Sequence, residues 1–153
     1  MFSRIALAAL VLSCAAVSAQ DKKKDEKKDD KTTKVTGTAI LSKDLLSFSG
    51  RTLELRLYAH DPRIADKAAE LVEKVEVKDF KHETGTETKK EFTIGSKGEL
   101  KPNMQYYVTV FVLDGEKRTH IGQADHVKEP FNKVITDGNP REITVRFKEV
   151  GKK

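Results

Sequence analysis

The stretch Leu53-Glu54-Leu55-Arg56-Leu57-Tyr58-Ala59 decides the fold. Apolar and polar residues alternate through it. On an extended backbone this puts Leu53, Leu55, Leu57 and Ala59 on one face and Glu54, Arg56 and Tyr58 on the other. That is the pattern of a strand with one side in a core and one in water.

The same period recurs in both directions along the chain. Upstream, Val35, Gly37, Ala39 and Leu41 alternate with Thr36, Thr38 and Ile40. Downstream, Val75 and Val77 run towards Phe80, and Phe92 and Ile94 alternate with Glu91, Thr93 and Gly95. Tyr106 to Leu113 is apolar on both faces, as in a central strand. Asp114-Gly115 follows it directly, a hairpin signal, and Thr119 and Ile121 lie on the return strand. Ile143, Val145 and Phe147 mark the closing strand. One stretch reads differently: Ile64, Ala68 and Leu71 recur at helical spacing after Asp61-Pro62, a cap followed by a first-turn proline. The expectation is an all-β domain over residues 35–150, a small antiparallel β-sandwich of about seven strands with one short helix or helical turn. A small barrel is the alternative.

The ends place the protein outside the cytoplasm. One positive charge at Arg4, an apolar run from Ile5 to Leu12 and small residues up to Ala19 are the parts of a secretory signal over residues 1–19. The run is shorter than the ~20 residues a membrane-spanning helix requires. A cut before Gln20 fits Val17 and Ala19, while Val11-Leu12-Ser13-Cys14 offers a lipobox in which Cys14 becomes a lipidated first residue. Cys14 is the only cysteine, so the mature domain has no disulfide and no thiolate, and its stability rests on a core. Residues 20–34 form a charged tether. From Asp21 to Lys34 it holds seven lysines, five acids and two threonines, a composition that cannot bury apolar area.

Composition and motifs narrow the chemistry. The formal net charge of +5 is mild and interspersed with acids, and there is no tryptophan, so nothing points to nucleic acid. No G-x-S-x-G, phosphate loop or His-Glu-x-x-His occurs. The four histidines, His60, His82, His120 and His126, are dispersed beside charged residues, and no metal site or cofactor is expected of them. No catalytic residue is assigned. Thr136-Asp137-Gly138-Asn139-Pro140 has turn chemistry at every position.

That turn and the residues before it, Pro130 to Ile135, resemble the closing segment of the YscW/YbaY envelope lipoproteins, which include type III secretion pilotins. The opening Val35-Thr36-Gly37, the strand from Leu53 to Asp61, and Pro102, Tyr106 or Tyr107 and Gly115 resemble the same family in order and spacing. The proline-rich loop of that family is here Ser42 to Phe48, without proline, and the Lys81–Lys90 segment is more charged. The resemblance implies a small β-sandwich and a non-enzymatic envelope role. The best-understood members bind the C-terminal tail of a secretin and help it assemble. On this reading the protein is a periplasmic or extracellular binding module, membrane-anchored if Cys14 is lipidated. Its partner is an envelope protein or peptide, docked as an extended segment on a sheet edge or groove. Leu45, Leu46 and Phe48 are the candidate contact residues, being three apolar side chains in a stretch read as loop. The alternative is a domain that binds a small ligand or metal.

Overall fold

The computed structural model describes residues 31–128 and 131–151. The signal peptide expected over 1–19, with Cys14, and residues 20–30 of the expected tether lie outside them. Eight strands form: β1 (Val35–Leu41), β2 (Phe48–His60), β3 (Glu70–His82), β4 (Thr88–Ile94), β5 (Gln105–Asp114), β6 (Lys117–Ala124), β7 (Asn132–Val134) and β8 (Glu142–Glu149). The alternation read from sequence has the correct phase. Leu53, Leu55 and Leu57 are fully buried, as are Val108, Val110 and Val112 on the facing strand.

The sandwich is not what forms. One sheet runs β3-β2-β5-β6-β8-β1-β4, with β7 added to β5, and curls into a nearly closed barrel around a single core. It is not purely antiparallel either, because β1 pairs with β8 in parallel from Thr36↔Glu142 to Ile40↔Arg146. A sandwich and a barrel both require strands with one apolar face, so alternation cannot separate them; strand order does. The end strands β3 and β4 approach each other without forming a ladder. The Gly95 N–H donates to the Glu73 carboxylate at one end of this seam, and His82 Nδ1 lies 2.9 Å from Thr88 Oγ1 at the other. Gly37 lets β1 pass close to its neighbours, since a Cβ there would meet the Ile143 carbonyl and the Phe92 ring.

The expected helix after Pro62 is also absent. Residues 61–69 make successive turns, closed by Ile64 N–H to Asp61 O at 3.2 Å and Lys67 N–H to Ile64 O at 3.4 Å. Leu71, read as the last residue of a helical stripe, belongs to β3 and pairs with Tyr58. The remaining span is too short for a helix to repay its nucleation, and cross-strand pairing claims its end. Asp61 caps the first turn through the Arg63 N–H at 3.0 Å, and its hydrogen bonds from Arg63 hold the carboxyl down at about 2.

The ordered domain also begins before Val35. Thr32 bridges to Glu99, and Thr33, assigned by composition to the tether, is fully buried. A short polar residue can be buried where its hydroxyl has an acceptor, and Thr33 has one in the Gly95 carbonyl. The barrel thus has an N-terminal end, carrying Thr33 and the Gly95–Gly98 turn, and an opposite loop end. The loop end carries residues 42–47, the β3–β4 turn and the β5–β6 hairpin. In that hairpin Asp114 pairs with Lys117, so the turn residues are Gly115, at φ 60°, and Glu116.

Candidate functional site

The loop Ser42–Ser47 is held firmly. Gly85 N–H donates to Lys43 O at 2.7 Å, the Thr84 hydroxyl to Leu45 O at 2.9 Å, and Thr84 N–H to Ser47 Oγ at 2.8 Å. These bonds tie it to the β3–β4 turn and orient its apolar side chains differently. Leu45 is half-buried against the core. Leu46 points out and is 66 % exposed. Phe48 opens β2 with its ring inside, 8 % exposed, packed 6.0 Å from Phe80, 5.8 Å from His82 and 5.4 Å from His120 between ring centroids. The three residues proposed as one contact surface therefore divide. Phe48 plugs the barrel end, Leu45 supports the loop, and of the three Leu46 alone is presented to solvent.

Two clefts flank the loop. The larger, about 600 Å³, is lined by Phe48, Lys81, His82 and Thr88 among others and opens over the β3–β4 turn. The smaller, about 220 Å³, lies between Leu46 and Val150 and is rimmed by Arg51, Lys117, Arg118 and Glu149. Sequence reasoning missed Val150, which is 52 % exposed. A signal was available: Ile143, Val145 and Phe147 set the inward phase of β8, so an apolar residue at 150 falls on the outward phase.

Arg51 is fixed where it crosses this end. Its guanidinium carbon lies 4.6 Å over the Phe48 ring, its Nη1 donates to Thr119 Oγ1 at 3.2 Å, and it reaches Asp114 only at 3.8 Å. Arg118 lies 4.2 Å over Phe111 on the outer face. Such placement over an aromatic ring keeps a guanidinium oriented.

The histidines do not converge. His82 and His120 both touch Phe48, His60 lies on the outer face 5.8 Å from Tyr107, and His126 Nε2 is 2.9 Å from Lys133 O. Among the described residues, no group of three or more His, Cys, Asp or Glu is placed to hold a metal ion. The carboxyls that are displaced are all displaced downward. Hydrogen bonds from Lys101, Lys74 and Lys89 lower Glu70, Glu76 and Glu87 respectively. In Glu54 burial pushes the carboxyl up, but hydrogen bonds from Arg56 and Lys74 outweigh it and the net shift is down. A general acid at neutral pH needs the opposite displacement.

No family model matches this chain, and no curated protein matches it. Among solved structures it is similar to an alternative pilotin from the type II secretion system of Vibrio cholerae, with a TM-score of 0.55 and 18 % identity. The match covers 80 % of this chain and 100 % of that one. The fold is pilotin-like. Membership of the YscW/YbaY family, implied by the turn and strand motifs, is not established by these comparisons.

Proposed function

We propose that this protein is a non-enzymatic module of the cell envelope that binds a segment of a partner protein at the loop end of its barrel. The observation that carries the reading is Leu46, a leucine exposed on a loop whose backbone is held by hydrogen bonds, beside exposed Val150 at a concave surface. A leucine on a tethered loop cannot turn inward to escape water, and apolar side chains fixed beside a cleft are the usual mark of a docking site. The likeness in fold to a pilotin supports an envelope role, as does the secretory signal read over residues 1–19.

Between edge and groove, the groove is favoured. The free edges belong to β3, with Lys74, Glu76, Lys78 and Lys81, and to β4, with Lys89, Lys90 and Glu91. Charges along an edge strand are how proteins discourage strand addition. Photocrosslinking in intact cells tests the reading, with the crosslinker at Ser47 and, as a control, at Ile64 on the opposite end. One envelope-protein adduct from Ser47, lost in Leu46→Asp, is the expected result. The same adducts from both positions, or turnover of a peptide or glycan by the purified protein, would refute the module. Mass spectrometry of the mature N-terminus tests export separately: a lipid on Cys14 or a start at Gln20 is expected, and an intact Met1 is not.

A further inference from the structure

We infer that the cleft between Leu46 and Val150 takes a partner segment in which apolar side chains stand beside carboxylates. This rests on the docking reading above and specifies the chemistry of what docks. The apolar part of the argument is the pair of exposed side chains facing one small concavity. The charged part is the rim, where Arg51, Lys117 and Arg118 stand against one lining carboxylate, Glu149. Among the described residues, Lys117 and Arg118 make no ion pair, and Arg51 approaches Asp114 only at 3.8 Å. Several cations elsewhere on the barrel are matched: Arg56 and Lys74 by Glu54, Lys101 by Glu70, Arg146 by Asp125. Cations left unmatched around an apolar floor are complementary to an acidic, apolar segment and reject a basic one.

A lipid surface has the same two chemistries, but the shape of the site disfavours it. The apolar residues line a concavity of about 220 Å³, which suits a few side chains better than a flat bilayer.

The test is selection of a phage-displayed library of random dodecapeptides on the full chain, followed by binding of the selected peptides to variants and mapping by backbone amide shifts. Selected sequences should be enriched in Asp and Glu next to Leu, Ile, Val or Phe. Their affinity should fall tenfold or more in Leu46→Asp and in the Lys117→Glu, Arg118→Glu double variant. It should also weaken steeply between 50 and 500 mM salt, because exposed charges are screened beyond ~10 Å at 0.1 M ionic strength. Melting temperatures of the variants, all at exposed positions, should match the parent. Enrichment of neutral or basic peptides, or indifference to the double variant, overturns the inference. Shifts confined to β3 and β4 would leave the binding module standing and remove the cleft. If no peptide is selected, both readings fall. In that case Lys117- and Arg118-dependent sedimentation with phosphatidylglycerol vesicles would identify the rim as a lipid contact.

Discussion

The hydroxyl of Thr33 donates to the carbonyl of Gly95 at 2.8 Å, joining residues 62 positions apart at the N-terminal end of the barrel. Gly98 lies against the same threonine, and its N–H donates to Gly95 O at 3.3 Å. Thr33→Ala should therefore destabilise the domain by about 1–3 kcal/mol in urea unfolding, the usual cost of stranding a buried polar group. Thr33→Ser, which keeps the hydroxyl, should lose less. Parent-like unfolding of the alanine variant would return Thr33 to the tether.

Leu46 and Phe48 should separate cleanly in stability. Phe48→Ala removes a ring packed on Phe80, His82 and His120 and should cost about 3–5 kcal/mol. Leu46→Asp alters an exposed side chain and should stay within about 0.5 kcal/mol. Thermal melts of the two variants check this, and equal losses would mean the loop is folded the other way round.

Asn132 is fully buried and bonds β6 with both ends of its side chain: Ala124 N–H donates to its Oδ1 at 2.7 Å, and its Nδ2 donates to Gly122 O at 3.1 Å. It continues the sheet where β6 leaves β5 and β7 takes its place. Asn132→Asp keeps the shape but loses the donor and buries a charge, so a loss of at least about 1–3 kcal/mol is expected. Hydrogen exchange at the Ala124 amide should quicken as well.

Acid should weaken the fold through Glu54, which is 1 % exposed. Burial raises its pKa, but hydrogen bonds and charge from Arg56 and Lys74 bring it below the ordinary 4.5. A carboxyl with a lowered folded pKa contributes stability above its unfolded value and loses it as pH falls through the folded one. Urea midpoints should therefore be level from neutral pH to about 5 and decline below about 4.5. Glu54→Gln should start lower at pH 7 and converge on the parent in acid. Parallel curves would assign the decline to other groups, such as Glu76, whose hydrogen bonds from Lys74 and Lys78 hold it at about 2.

Much of the candidate site was legible and part was not. Leu46 stood out as an apolar residue in a loop, but Leu45, Leu46 and Phe48 follow no period, so nothing local tells which of them turns inward. That depended on His82 and His120, brought to Phe48 from β3 and β6. Lys117 and Arg118 carry no sequence signal of their own; the hairpin turn at Gly115 places them beside Leu46.

The sequence alone located seven of the eight strands, all but β7, and the inward face of most of them, because alternation is a local property of an extended backbone and needs no knowledge of partners. Leu53, Leu55 and Leu57 face the core for that reason, and the turn at 136–140 forms from its own residues, with Asp137 and Gly138 at positive φ. Tertiary structure alone decided which strand pairs with which. The parallel β1–β8 contact, the single curled sheet in place of two layers, and the loss of a helix before Leu71 all follow from pairings between residues far apart in the chain. Those pairings are selected by the shape of the whole core, and no window of sequence contains it.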